Sequence, residues 1–277
     1  MKITALTYLF NRYSLESVFQ LFHHYGLDGV EIWGGRPHAF VKDLDDKAID
    51  DINQWSEKYK LPVSMYVPEI LAYPYHPCSR LLAERKDALK YLRRALAAAK
   101  KMNTSLMQMT IPHPGYGRDK AEIWDQLMEF FSELVEEAEK QEVKIVIESL
   151  SPSEGGNLIA NADDLGQVLT TIDSPYLTAM IDVVPPFIAQ EPYSEYFEKL
   201  KGKIEYIHLC NTDGQTEWHM SLDNPEGQIP LTAFMHILKR YQYDGWVSLE
   251  LLSPYFGNPE LYFAESLRIL RKSLQDS

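Results

Sequence analysis

Four apolar runs in the second half of the chain each end on a side chain able to bind a cation. They read Ile145-Val-Ile-Glu148, Met180-Ile-Asp182, Tyr206-Ile-His208 and Val247-Ser-Leu-Glu250. One acid closing one such run would be ordinary, since it caps a helix or faces water. Three carboxylates and an imidazole at the same end of successive runs would repel one another unless a cation compensated them. The donor set offers oxygen and imidazole nitrogen without thiolate. That set suits Mn2+, Co2+, Mg2+ or Ni2+ better than a structural zinc, and one Mn2+ per chain is the expectation. The chemistry these residues point to is divalent-cation binding.

Positioning four such groups requires a regular scaffold, and the chain alternates strand and helix from end to end. Strand patterns fall at Ile3–Leu9, Gly29–Trp33, Pro62–Val67, Ser105–Thr110, Val143–Ser149, Leu177–Asp182, Ile204–Leu209 and Trp246–Leu251. Helical periodicity falls at Ser14–Tyr25, Asp46–Tyr59, Ser79–Lys101, Lys120–Gln141, Asn161–Ile172, Glu195–Leu200, Leu231–Tyr241 and Pro259–Ser273. Eight such units without a Gly/Ser/Pro-rich linker predict an α/β fold, a single (β/α)8 TIM barrel over residues 1–277. An open doubly wound sheet is less favoured, because the first turn, Phe10-Asn-Arg-Tyr13, has no glycine-rich phosphate loop. In barrels the chemistry sits at the carboxyl ends of the strands, where the four runs end. An internal echo, Tyr25-Gly-Leu-Asp-Gly-Val-Glu31 and Tyr241-Gln-Tyr-Asp-Gly-Trp-Val-Ser-Leu-Glu250, reads as a helix end, an Asp-Gly turn whose glycine supplies backbone freedom, and a strand carrying an acid.

Composition narrows the partners. At 45% hydrophobic and 24% charged, the 277 residues are those of an ordinary globular protein. The net charge of −13, with basic residues scattered among acids, opposes nucleic acid and anionic membranes as partners. No uncharged apolar run reaches the ~18 residues of a membrane helix. Cys78 and Cys210 cannot form a disulfide framework, and the start of the chain does not read as a signal peptide, so the cytoplasm is expected.

The order Glu148, Asp182, His208, Glu250 on strands five to eight resembles the sugar isomerases and epimerases of the xylose-isomerase-like barrels, which include ketose 3-epimerases. The likeness covers the whole chain and extends to Glu154, six residues after Glu148. Further segments are similar to the branch of that family acting on a ketose joined to an amine. They are Asp28-Gly-Val-Glu-Ile-Trp-Gly-Gly-Arg-Pro-His-Ala-Phe40, Tyr73-Pro-Tyr75, Asn161-Ala-Asp163, Ala189-Gln-Glu-Pro192, Tyr196-Phe197 and Lys199-Leu200. The resemblance implies inversion of carbon 3 of a 2-ketose derivative through a metal-stabilised enediolate. Glu148 and Glu250 would then be acid and base on opposite faces of the substrate while also binding the metal, with Asp182 and His208 as ligands only. Where ketohexose epimerases hold the free sugar with a His and an Arg, this chain carries Pro185 and Gly214. A sugar-amine is therefore expected rather than a plain ketohexose.

Six further residues are candidate substrate contacts, each with a plainer alternative. Glu154 is a contact or a surface loop acid. His219, in Glu217-Trp-His219, is functional or an exposed loop histidine. Trp33 and Tyr66 stack on a sugar or pack the barrel mouth. Arg36 and His38 meet a substrate carboxylate or form a hinge or subunit contact. Among rivals, a related isomerase or sugar dehydratase would use the same enediolate. A metal-dependent endonuclease on abasic DNA would need more histidines than His113 supplies, and a non-catalytic sugar-binding protein would not need two paired acids. The loops after strands seven and eight lack the Lys or Arg of a phosphate site, so an unphosphorylated substrate is expected. A homo-oligomer, two-fold by base rate, is an expectation only.

Overall fold

Short polar side chains start the helices. In the computed structural model, Ser14, Asp45, Asp119 and Asn161 each accept a hydrogen bond from a backbone N–H of the turn that follows. Those caps open α1 (Leu15–His24), α2 (Asp46–Tyr59), α4 (Lys120–Gln141) and α5 (Ala162–Ile172). The structure describes residues 1–72, 75–252 and 255–276, at Phe256 the backbone alone. Two members of the resemblance-bearing segment Tyr73-Pro-Tyr75 thus lie outside the described residues. The helix expected from Ser79 is α3 (Leu82–Lys101), because the Ser79 hydroxyl turns the chain first, accepting from Leu81 N at 3.1 Å and donating to Glu84. The expected Glu195–Leu200 helix is α7 (Tyr193–Leu200), preceded by a one-turn α6 (Val184–Ile188) that the sequence pattern did not indicate. Pro185 and Pro186 sit in the first turn of α6, where the missing N–H costs nothing. Helices α8 (Leu231–Arg240) and α9 (Pro259–Asp276) complete the set.

The strands are β1 (Lys2–Ala5), β2 (Val30–Gly34), β3 (Val63–Pro68), β4 (Leu106–Met109), β5 (Lys144–Ile147), β6 (Leu177–Asp182), β7 (Ile204–Leu209) and β8 (Trp246–Leu249). They form one parallel sheet in the order β1-β8-β7-β6-β5-β4-β3-β2. A parallel bridge from Leu6 to Glu31 brings β1 beside β2, so the ring nearly closes. The fold is the expected TIM barrel with helices outside. Among the described residues no helix is long and apolar enough to cross a membrane.

Alternation along each strand sorts side chains between two cores. Outward residues such as Ile145, Ile147, Ile181, Ile207 and Leu209 pack under the helices. Inward residues Leu6, Met65, Val67, Leu106, Val146, Met180 and Tyr206 fill the barrel centre, which is a packed core and not a pore. The echoed glycines serve packing instead of backbone freedom. A Cβ on Gly29 would meet the Trp246 ring at 2.8 Å and Pro62 O at 2.9 Å. The left-handed backbone falls earlier in each echo, at Gly26 (φ 66°) and Gln242 (φ 54°).

Candidate active site at the carboxyl ends of the strands

Counting two residues on from the inward core positions gives the side chains at the barrel mouth. Val146 leads to Glu148, Met180 to Asp182, Tyr206 to His208, and Ser248 to Glu250. The same step on the other half of the ring leads from Leu6 to Tyr8, Glu31 to Trp33, Val67 to Glu69 and Leu106 to Gln108. Asp182 and His208 are the penultimate or last residues of their strands, whereas Glu148 and Glu250 lie one residue beyond theirs.

The four predicted ligating residues come together. Each offers one atom, and these atoms all lie within 4.8 Å of one another. His208 Nδ1 lies 2.7 Å from Glu250 Oε2, 3.3 Å from Glu148 Oε1 and 3.9 Å from Asp182 Oδ2. Yet Asp182 Oδ2, His208 Nδ1 and Glu250 Oε2 are buried without an aligned hydrogen-bond partner among the described residues. Buried polar atoms are normally satisfied, so three orphans facing one point can hold a cation. Their other atoms are occupied. Asp182 Oδ1 accepts from Val184 N at 2.6 Å, and Glu148 Oε2 accepts from Gln108 Nε2. His208 Nε2 donates to Glu31 Oε1 at 2.7 Å, and Glu31 Oε2 accepts from Ser248 Oγ.

Within the cluster the side chains differ in how readily they hold a proton. Burial pushes the Glu148 and Asp182 carboxyls up, and neighbouring acids add to it. Burial also opposes charge at Glu250, but His208 and His219 outweigh it and hold that carboxylate well below its usual range. Burial would pull His208 down, yet Glu250 and Glu31 raise it.

His219 joins the cluster, with Nδ1 3.2 Å from Glu250 Oε2 and Nε2 3.9 Å from Asp182 Oδ2. Asp182, Cys210 and His219 form a second group whose ligating atoms lie within 4.8 Å of one another, although burial pushes the Cys210 thiol up to about 12. Burial likewise pushes Glu154 up to about 8. A cavity of about 260 Å3 opens over the cluster, and Glu154, His219, Trp33 and Pro185 are among the residues lining it.

Three expected contacts stand elsewhere. Arg36 pairs with Asp43 through Nε at 2.5 Å and Nη2 at 2.7 Å and lies over the Phe40 ring, with a side chain 61% exposed. His38 is held by Thr7 Oγ1 and by the carbonyls of Phe10 and Tyr13. Tyr66 is fully buried and donates to Ala39 O at 2.7 Å, an approach that Gly34 permits because a Cβ there would sit 2.8 Å from the phenol oxygen. None of the three lines the cavity. Tyr66 packs in the barrel, while Arg36 and His38 are engaged by groups outside the cavity. His113, the residue behind the endonuclease rival, stands apart from both ligating groups, its carbonyl accepting from His76 Nε2 at 2.5 Å.

Other mouth residues went unnoticed in the sequence. Glu31 read only as an acid in the second strand, and Gln108, Tyr8 and Glu69 carried no signal until the inward alternation of their strands was known. Glu217 has both carboxylate oxygens buried without a hydrogen-bond partner among the described residues, with Oε2 3.9 Å from His219 Nε2.

Residues 19–273 match the xylose isomerase-like TIM barrel family, and the chain belongs to it. Among curated relatives, the fructoselysine 3-epimerase of Escherichia coli O157:H7 is 34% identical over 276 residues, spanning 100% of this chain and 99% of that protein. Two solved structures share the fold closely. A D-tagatose 3-epimerase-like protein superposes with a TM-score of 0.81 at 22% identity, covering 99% of this chain and 100% of that one. The D-psicose 3-epimerase of Clostridium cellulolyticum H10 gives 0.82 at 16% identity, with 99% of each chain covered.

Proposed function

We propose that this chain is a divalent-metal-dependent epimerase that inverts carbon 3 of a ketose-amine, converting fructoselysine to psicoselysine. The relatives make it an enzyme of the carbohydrate epimerase and isomerase kind. The finer reading rests above all on one observation, the convergence of orphaned Asp182 Oδ2, His208 Nδ1 and Glu250 Oε2 beside Glu148 Oε1. Glu148, Asp182, His208 and Glu250 would hold the ion, with Mn2+ favoured by their oxygen-rich donor set. When bound, the ion supplies Lewis acidity toward oxygens on C2 and C3 and compensates the clustered carboxylates.

The remaining work falls to the chain. Glu31 accepts a hydrogen bond from the Nε2–H of His208, which fixes the imidazole with its lone pair at Nδ1 facing the cluster. Gln108 orients Glu148 by donating to Oε2, so Oε1 faces His208. Glu148 and Glu250 follow directly after β5 and β8, three steps apart around the ring, and so can address opposite faces of a substrate lying between them. One carboxylate removes the C3 proton and the other delivers a proton from the far side, through an enediolate. Glu154, kept protonated by burial, can donate a hydrogen bond to a substrate oxygen. Pro185 lines the cavity where a polar sugar contact stands in ketohexose epimerases.

The test is turnover followed by NMR in deuterated water with added manganese. Fructoselysine should epimerise faster than free fructose or tagatose, the first-formed product should carry deuterium at C3, and chelation should stop the reaction. Full activity after exhaustive chelation would remove the metal from the reading. Transfer of the original hydrogen without solvent label would remove the two-acid arrangement.

A further inference from the structure

Opposite the ligating half of the ring, the cavity wall is built from Tyr8, Trp33 and Glu69, the inward residues after β1, on β2 and after β3. Glu69 is held at three points. Its Oε2 accepts the Trp33 indole N–H at 2.9 Å, its Oε1 accepts Ala72 N at 2.9 Å, and its carbonyl accepts the Tyr91 hydroxyl at 2.9 Å. Tyr8 meets Trp33 edge to face at 4.8 Å, placing both rings beside the carboxylate. Tyr8, Glu69 and Glu250 line the same cavity, so this wall adjoins the cluster.

Charge makes the wall unusual. The donors to Glu69 are neutral, so they orient the carboxylate without cancelling its charge. Glu69, Glu148, Glu154, Asp182 and Glu250 all line the cavity, while no Lys or Arg among the described residues does. A divalent ion held by Glu148, Asp182, His208 and Glu250 would offset two charges at the far side and would not cancel that of Glu69. A carboxylate fixed at the edge of the Trp33 indole by neutral donors keeps its charge and so can attract an ammonium group.

We propose that Glu69, oriented by the Trp33 indole N–H, is the specificity element for a protonated amine on C1 of the substrate. The inference rests on the epimerase reading, since it is the C2 and C3 oxygens at the cluster that carry a C1 nitrogen into the cavity. It assigns to one wall the preference for a sugar-amine over a plain ketose. It needs no cation from Arg36, which is committed to Asp43.

Two synthetic substrates isolate the charge: 1-deoxy-1-(butylamino)fructose, cationic at C1, and the neutral ether 1-O-butylfructose. The readout is the ratio of their kcat/KM values. Wild type should favour the amine at least tenfold, mainly through KM. Glu69→Gln should cut that ratio at least tenfold, and Glu69→Asp, which keeps the charge, should retain most of it. A variant that merely loosens Trp33 would penalise both substrates equally and leave the ratio intact, which would overturn the assignment. So would a wild type that epimerises both substrates without preference, or a Glu69→Asp ratio as low as that of Glu69→Gln. If wild type epimerises neither these compounds nor fructoselysine, it is the epimerase reading that has failed.

Discussion

The two halves of the barrel mouth solve opposite problems with the same building rule. On β5 to β8, inward side chains converge and leave Asp182 Oδ2, His208 Nδ1 and Glu250 Oε2 without an aligned hydrogen-bond partner among the described residues. On β1 to β3, the inward Tyr8, Trp33 and Glu69 hold one another, and the Glu69 oxygens are satisfied by Trp33 and Ala72. The first half is unsatisfied and buried, so it demands a ligand to complete it. The second is satisfied but carries an uncancelled charge, so it selects among ligands without depending on one. The lesson is that orphaned atoms point to where chemistry happens, while satisfied atoms with net charge point to what is chosen.

Substitutions can break this contrast in order of severity. Glu148→Gln and Glu250→Gln should each lower net epimerisation by about 10²–10⁴-fold, the ordinary worth of a positioned acid or base. The loss should be the same for cationic and neutral substrates, measured as kcat/KM on the two butyl compounds. A loss confined to the cationic one would move that carboxylate to the selecting half.

A smaller effect is expected at Glu31, which lies under the ligating half and touches it through His208 and Ser248. Glu31→Gln should weaken metal retention by about 10–100-fold while the fold survives, as competition with a chelator would show. Unchanged retention would mean that the Glu31–His208 pair serves the barrel core alone. The smallest effect belongs to Arg36. Its ion pair with Asp43 is exposed on both sides, so Arg36→Ala should change stability by no more than about 0.5 kcal/mol in denaturant titration. Turnover of fructoselysine should stay at the wild-type rate, and a selective loss on that substrate would bring Arg36 back to the cavity.

The sequence by itself determined the alternation of eight strands with helices and singled out the four polar residues that converge at the barrel mouth. Both are local properties: apolar runs of strand length report burial, and a polar residue closing each run reports the mouth. It could not tell Arg36, His38 and Tyr66 from true cavity residues. All three lie in or near segments that resemble the family, and resemblance along the chain does not say which way a side chain points. Nor could it show Glu31 beneath His208, since the pair is separated by 177 residues and meets only because the ring brings β2 across from β7. Glu69 is the same case, because its charge gains meaning only when Trp33 and Tyr8 stand beside it and no Lys or Arg among the described residues lines the cavity. Strand-end chemistry is written in neighbouring residues. The pairing of one wall with the other is decided by barrel closure, which places distant strands at fixed distances.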